Sequence, residues 1–279
     1  AGIGFKISVV PFHSWAPDTY EGSPLPVTAY LSVSSKATGF VALMIILTKV
    51  FPDSGSSWGI VLVIISALTM FIGNLSALQQ SNPVRLLAYS SIAQAGFILA
   101  PLAVAGISGD YADGIYASVT YLIIYAFMNL GAFLVVNVLI NTSGSNNIYE
   151  WGGLAKHQPL TSIFATIFFF SLAGIPPLGG WFAKFVVFRS LLSTGEVYGI
   201  TLAIIGAINA VIGLVFYARI SKIIWMDSQS ENITVNTKPT LLGPLKVVGF
   251  ISLVITFIAG IFPNIFSNLG NASALFFNS

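Results

Sequence analysis

The sequence predicts an all-α protein: a polytopic bundle of transmembrane helices, two of them discontinuous. Three observations carry this. Of 279 residues, 56% are apolar and only 7% are charged, where a soluble globular domain carries roughly 25% charged residues. Eleven Lys and Arg and nine Asp and Glu are too few to cover a water-soluble surface of this size. The apolar residues also fall in long blocks separated by short polar turns. In lipid, runs of this length read as helices, because a helix pairs its own backbone polar groups.

The composition also excludes functions. A net charge of +2 points to no nucleic acid and no bulk electrostatic partner. There is no cysteine, and the only histidines are His13 and His157. Disulfides, thiolate zinc sites, Cys-ligated iron–sulfur clusters and bis-His haem are therefore not expected within the chain. No cofactor and no metal are predicted for it.

A spanning helix needs about 20 apolar residues, and eight candidate spans follow one another in a single membrane domain over 1–279. Span 1, 1–16, opens at Ala1 directly into AGIGFKISVV. It has no Met, basic n-region or A-x-A pattern, so it is not a signal peptide. The expectation is a fragment that begins inside a span, with Pro17-Asp18 as its first turn. Span 2, 25–50, runs to the turn Pro52-Asp53-Ser54-Gly55, and span 3, 58–78, to Ser81-Asn82-Pro83. Span 4, 85–107, stops at Ser108-Gly109-Asp110, and span 5, 113–140, at Asn141-Thr142-Ser143-Gly144. Spans 6, 7 and 8 cover 159–192, 197–225 and 241–262. Trp15, Trp58, Trp151 and Trp225 fall at span ends, where an aromatic belt would place them; Trp181 alone lies inside a span.

Basic residues in short loops set orientation. Loops after odd-numbered spans hold Arg85, Lys156, Arg219, Lys222 and Lys238, and the other side holds Lys49 and little else. The odd loops are expected to face the cytoplasm, or its matrix or stromal equivalent, and residues 263–279 the outside.

Lys6, Lys36 and Lys184 stand where a span should be apolar. Lys36 is the twelfth residue of the 26-residue run 25–50, and a central Lys costs roughly 2.5–3.5 kcal/mol to insert. Its stem does not reach an interface from there, so it must face a polar interior. Lys49 and Arg219, nearer span ends, can snorkel. Span 6 contains Ala173-Gly174-Ile175-Pro176-Pro177-Leu178-Gly179-Gly180, through which no continuous α-helix passes. Span 1 meets Pro11-Phe12-His13 five residues after Lys6. Broken helices at membrane depth occur where the freed backbone lines a cavity, and in transporters they mark ion paths. A break and a buried lysine thus coincide twice, in spans five apart that cross in opposite directions. His13 reads two ways, as a relay group with an ordinary pKa near 6.5 or as a structural hydrogen-bonding group. His157, Asp18 and Glu21 read as solvated loop residues, and no span holds a carboxylate to pair a buried lysine.

Several motifs resemble the N subunit of proton-pumping NADH–quinone oxidoreductase, a family that includes mitochondrial NADH dehydrogenase subunit 2 and the plastid-type B subunit. They are Gly4-Phe5-Lys6, Pro11-Phe12-His13, the run Pro17-Asp18-Thr19-Tyr20-Glu21-Gly22-Ser23-Pro24-Leu25-Pro26-Val27, and Ser35-Lys36. Arg85-Leu86-Leu87-Ala88-Tyr89-Ser90-Ser91-Ile92, Leu172-Ala173-Gly174-Ile175-Pro176-Pro177 and Lys184-Phe185 extend the resemblance over the whole chain. The resemblance implies an antiporter-like fold and the C-terminal part of a longer subunit. It implies that Lys36 is the central lysine of a first half-channel. Lys6 would pair with a glutamate on an earlier helix, and Lys184 would serve the broken helix of a second half-channel. Lysine rather than glutamate at 184, and no long lateral helix after span 8, favour the N type over its siblings.

The implied function is a non-redox translocase subunit, with protons moved along membrane lysines while other subunits handle NADH and quinone. The implied partners are lipid and neighbouring antiporter-like membrane subunits. The bacterial plasma membrane is the first expectation for location, and an organelle inner or thylakoid membrane the second. Two other readings stay open: a subunit of a multisubunit Na⁺/H⁺ antiporter or membrane-bound hydrogenase, and a passive membrane scaffold.

Overall fold

Residues 1–228 and 243–278 are described by a computed structural model, and every regular element among them is helical. Lys238, used above for orientation, lies outside the described residues. Span 1 is α1 (Gly2–Ile7) and α2 (Trp15–Gly22), and span 2 is α3 (Leu25–Tyr30), a π turn (Leu31–Ser35), α4 (Lys36–Ile45) and a second π turn (Ile46–Val50). Then come α5 (Gly55–Leu78), α6 (Pro83–Ser108), α7 (Tyr111–Ser143), the short α8 (Leu154–His157), α9 (Pro159–Ala173) and α10 (Gly179–Ser193). α11 (Val197–Met226), α12 (Gly243–Ile261) and α13 (Asn264–Asn278) close the described chain. Among the described residues, five stretches are long and apolar enough to cross a membrane unbroken: Leu25–Val50, Pro52–Leu78, Pro83–Ser108, Tyr111–Ser143 and Val197–Met226.

α6 is the axis of the bundle, its apolar window 94% buried, with α2, α5, α7, α10 and α11 packed around it. Its start is specified locally. The Asn82 side chain accepts from the N–H groups of Val84 and Arg85 at 2.8 and 3.4 Å, and Pro83 occupies the first turn, where no N–H is needed. Pro101 interrupts the ladder inside α6. Hydroxyls from both neighbours serve carbonyls there: Ser66 of α5 donates to Gly96 and Ser118 of α7 to Ile98, each at 2.8 Å.

Both predicted breaks are present. Span 1 breaks from Ser8, which is left-handed at φ 59°, and the Val10 N–H donates to Thr69 Oγ1 of α5 at 3.1 Å. Span 6 breaks between Ala173 and Gly179, with Gly174 left-handed at φ 96°.

Other expectations are corrected. Pro17-Asp18 is no turn but the first turn of α2, where proline displaces no hydrogen bond. Asn141, Thr142 and Ser143 continue α7, which ends at left-handed Gly144. Trp151 is not a belt residue: it is fully buried and its indole N–H donates to the Ser145 carbonyl at 3.2 Å. Span 2 is not uniformly α-helical, since the two π turns flank α4. Beyond span 8, α13 turns 88° from α12 and packs back on the N-terminal part of α7, where Ser267 meets the Tyr116 hydroxyl at 2.9 Å.

The two ends of the bundle differ chemically. Asp18, Glu21, Arg85, Tyr149 and Arg219 gather at one end, where the Ile148 N–H reaches the Ser81 carbonyl at 2.9 Å. Asp113, Arg189 and α13 share the other. The loop 141–158 and the C-terminal helix therefore lie at opposite ends of α7, as the distribution of basic residues predicts.

Candidate functional site: two buried lysines on one polar strip

Lys36 is 2% exposed. It is the first α-helical residue after the π turn Leu31–Ser35, in which Ser32 accepts from Asn129 of α7 at 2.8 Å. The Lys36 Nζ crosses to α6 and donates to the Ser91 carbonyl and hydroxyl at 2.7 and 2.9 Å. Tyr20 of α2 and Tyr125 of α7 place buried phenol hydroxyls near Ser91, neither with a hydrogen-bond partner among the described residues.

Lys184 is 6% exposed and sits on the first turns of α10, just past the break. A helix leaves its last carbonyls without intrahelical partners. The Lys184 Nζ supplies them, donating to Leu172 and Ala173 at the end of α9 at 3.1 and 2.5 Å. A cation there also meets the negative end of the α9 dipole. The Phe97 ring of α6 lies 5.3 Å from the Nζ, within cation–π range. Gly174 makes room: a Cβ on it would approach Lys184 Cδ to 2.8 Å.

α6 joins the two lysines. Ser91 serves Lys36, and its neighbour Ser90 shares a very short hydrogen bond with the Tyr217 hydroxyl of α11. One turn further, Gln94 lies against Tyr217, accepts from Tyr121 of α7, and donates to the Leu172 carbonyl at 3.2 Å. That carbonyl is one of the two that Lys184 holds. Hydroxyls and an amide carried by or packed on this one buried helix therefore occupy the interval between Lys36 and Lys184, in two hydrogen-bonded groups: Lys36 with Ser91, and Gln94 with Tyr121, the Leu172 carbonyl and, through that carbonyl, Lys184. Neither lysine forms an ion pair with a described carboxylate. Buried polar groups of this kind are hydrogen-bonded or costly, and both lysines satisfy the rule with neutral acceptors.

The other two sequence candidates stand apart. Lys6 is exposed on α1, its stem laid on Gly39, one turn beyond Lys36, where a Cβ would approach Lys6 Cγ to 3.1 Å. His13 is half-buried in the segment between α1 and α2, its Nδ1 lacking a hydrogen-bond partner. No hydrogen bond among the described residues links it to a lysine. His157 is exposed. Asp18 and Glu21 are solvent-accessible but not independent: both bind Arg85 Nη1 at 2.7 Å, and Asn82 donates to Glu21 at 2.8 Å. Among the described residues no group of three or more His, Cys, Asp or Glu could hold a metal ion.

Residues 1–213 match the family model described as NADH:quinone oxidoreductase/Mrp antiporter, TM. The chain belongs to this family. NADH-quinone oxidoreductase subunit N of Moorella thermoacetica is 39% identical over 278 residues, 99% of this chain and 56% of that protein. NAD(P)H-quinone oxidoreductase subunit 2 of Synechococcus sp. (strain JA-3-3Ab) is 42% identical over 270 residues, 94% of this chain and 50% of that one. The chain thus spans about half the length of these relatives. Among solved structures, a chain of respiratory complex I from Thermus thermophilus with bound aureothin superposes with a TM-score of 0.76 at 26% identity, over 96% of this chain and 56% of its own. A chain of the Mrp complex from Dietzia sp. DQ12-45-1b gives 0.86 at 22% identity, over 98% and 57%, a likeness of fold. The antiporter-like membrane fold expected from the sequence is the fold of this family.

Sequence inspection missed the residues that join the lysines. Ser90, Ser91, Gln94, Tyr121 and Tyr217 are uncharged, so a hydropathy window passes over them. The detectable signal was positional: Ser90, Ser91 and Gln94 lie within one helical turn in an otherwise apolar span.

Proposed function

We propose that the chain is the C-terminal part of a non-redox, proton-translocating membrane subunit of an NADH–quinone oxidoreductase. Lys36 and Lys184 are its proton-carrying residues, and the α6 strip couples them. The observation that supports this reading is the polar strip on α6: Lys36 donates to Ser91, its chain neighbour Ser90 bonds Tyr217, and Gln94, which lies against Tyr217, donates to the Leu172 carbonyl held by Lys184. Intramembrane ionisable residues facing a bundle interior are functional by default, and two of them on one polar strip make a relay.

The chemistry needs no resident cofactor in this chain. A lysine releases a proton as a neutral amine and regains it as an ammonium, with hydroxyl and carbonyl groups accepting from either form. When Lys184 is charged it is drawn to the end of the α9 dipole; when neutral it is held by hydrogen bonds alone. Protonation would thus alter the hold between the two halves of span 6, the mechanical step by which one site informs the next.

Neighbouring antiporter-like subunits and lipid are the proposed partners, with NADH and quinone handled by other subunits. Lys6 would find its carboxylate partner elsewhere in the subunit, and its exposure in this chain is compatible with that. The bacterial and cyanobacterial relatives favour a plasma or thylakoid membrane. The test is NADH-driven proton uptake into inverted vesicles carrying the assembled complex. Lys36→Ala and Lys184→Ala should each abolish most uptake, and exposed Lys49→Ala should not. Wild-type uptake in assembled Lys36→Ala and Lys184→Ala complexes would favour the passive scaffold. Na⁺-dependent activity without NADH would favour the antiporter reading.

A further inference from the structure

At the end of the bundle opposite Arg85, a cleft of about 400 Å³ opens between α7, α10 and α13, lined in part by Asp110, Asp113, Tyr116, Arg189 and Asn271. Arg189 Nη2 binds Asp113 Oδ1 at 2.8 Å, and the guanidinium stands 5.3 Å over the Tyr116 ring. The second carboxylate oxygen, Asp113 Oδ2, is buried and has no hydrogen-bond partner. A buried carboxylate oxygen left unpaired is costly unless its situation serves a purpose.

The pair is connected to the lysine site by two helices. Arg189 is on α10, five residues beyond Lys184. Asp113, Tyr116 and Thr120 fall at i, i+3 and i+7 on α7, one stripe of the helix. Thr120 Oγ1 is buried and unpartnered. At the inner end of this stripe stands Tyr121, which binds Gln94. From Tyr121 to Asp113 the rise along α7 is about 12 Å.

We propose that this cleft is the mouth serving Lys184 and that the Arg189–Asp113 ion pair is its gate, with Asp113 as a further proton-carrying residue. The proposal rests on the relay reading of Lys184. In the closed state the Asp113 carboxylate is paired with Arg189. A proton released by the Lys184 ammonium, passing along water and the α7 stripe, neutralises Asp113 and frees Arg189. The carboxyl group then gives the proton to water in the cleft, and the pair closes again. One N–H bond breaks at Lys184, one O–H bond forms and breaks at Asp113, and the products are a neutral amine and a hydrated proton. A movement of α10 on Lys184 titration reaches the gate directly, because Arg189 rides on the same helix.

The experiment uses the assembled complex in inverted vesicles and reads protons taken up per quinone reduced. Asp113→Asn keeps the side-chain shape but can carry no proton in this way; uptake should fall at least fivefold. Exchange of the pair, Asp113→Arg with Arg189→Asp, keeps an ion pair and should restore part of the coupling, which a single neutral substitution cannot. Independently, Asn271→Cys, on the cleft wall, should lose uptake on reaction with methanethiosulfonate ethylammonium, which sets a fixed cation beside the gate. Ile265→Cys, exposed near the start of α13 and not part of the lining, should not. If Asp113→Asn assembles and pumps normally while Lys184→Ala is inactive, the gate is wrong and the relay stands. If Lys184→Ala also pumps normally, both are wrong. If Asp113→Asn does not assemble, the cysteine pair decides: unaltered uptake in modified Asn271→Cys overturns the gate.

Discussion

Gln94 of α6 and Lys184 of α10 donate to one acceptor, the carbonyl oxygen of Leu172, at 3.2 and 3.1 Å. Three helices therefore meet on a single atom, and that atom belongs to the buried, interrupted end of a broken helix. In a continuous helix the Leu172 and Ala173 carbonyls would look to residues 176 and 177 for donors, and both are prolines with no N–H to give. The break of span 6 is thus what creates the acceptor, and the buried lysine is what makes the break tolerable. Each feature explains the other.

Gln94→Leu removes one donor from that carbonyl while keeping the volume of the side chain. The buried Tyr121 hydroxyl also loses its acceptor, and a buried group left unsatisfied costs about 1–3 kcal/mol, so the complex should assemble with a lowered thermal midpoint. Proton uptake per quinone should fall severalfold, because the strip is cut between Tyr217 and Lys184. Uptake equal to wild type in vesicles would remove Gln94 from the path.

The sequence made the lysines and the breaks visible because both violate the apolar pattern of a span. Lys36, Lys184, Pro11 and Pro176-Pro177 are unlike their surroundings, and the structure finds buried charge-bearing groups or interruptions at each. The strip was hidden for the opposite reason. Serine, glutamine and tyrosine are ordinary in helices, and only the three-dimensional meeting of α6, α7, α9 and α11 turns them into a strip. Trp151 was misread because its position at a span end is a matter of sequence, whereas its burial is decided by packing against the loop that begins at Ser145. The Arg85 cluster spans 67 positions in sequence, beyond the reach of any local pattern.

Gly174→Ala should separate backbone strain from disturbance of the lysine. Gly174 is left-handed at φ 96°, and its added Cβ would press on Lys184 Cδ. Gly144 is also left-handed, at φ 70°, but nothing lies within 4 Å of its Cβ position. Left-handed backbone costs an L-residue roughly 1–2 kcal/mol, so both alanine variants should lose thermal stability to a similar degree. Only Gly174→Ala should also lose proton uptake. An equal loss in both, measured per assembled complex, would mean that Lys184 tolerates the displacement.

The two ends of the bundle can be assigned to sides of the membrane. The chain contains no cysteine, so single thiols report without background. Asn146 and Ala272 are exposed, one in the loop after α7 and one on α13. With Arg85, Lys156, Arg219 and Lys222 at the end near position 146, the basic-residue rule puts that end in the cytoplasm. In intact cells a membrane-impermeant maleimide should label Ala272→Cys and spare Asn146→Cys. The reverse pattern would invert the orientation without altering the fold.

Lys36→Arg is the most demanding test of the relay, because it preserves the charge and changes only the chemistry. The Lys36 ammonium fits between Ser91 and the first turn of α4, donating to two oxygens of one residue at 2.7 and 2.9 Å. A guanidinium could satisfy the same oxygens, but it stays protonated under all working conditions. If the site only needs a cation to hold α4 against α6, Lys36→Arg should assemble and pump better than Lys36→Ala. If the site must release and regain a proton, arginine should be no better than alanine, and assembly of both should be retained. Alanine inserts in a span more readily than lysine, so failure to assemble is not expected from the loss of charge itself. Native gels establish assembly, and NADH-driven uptake into inverted vesicles reads the outcome. Near-normal uptake in Lys36→Arg would exclude a proton-carrying role for this residue and leave it a structural tie between α4 and α6.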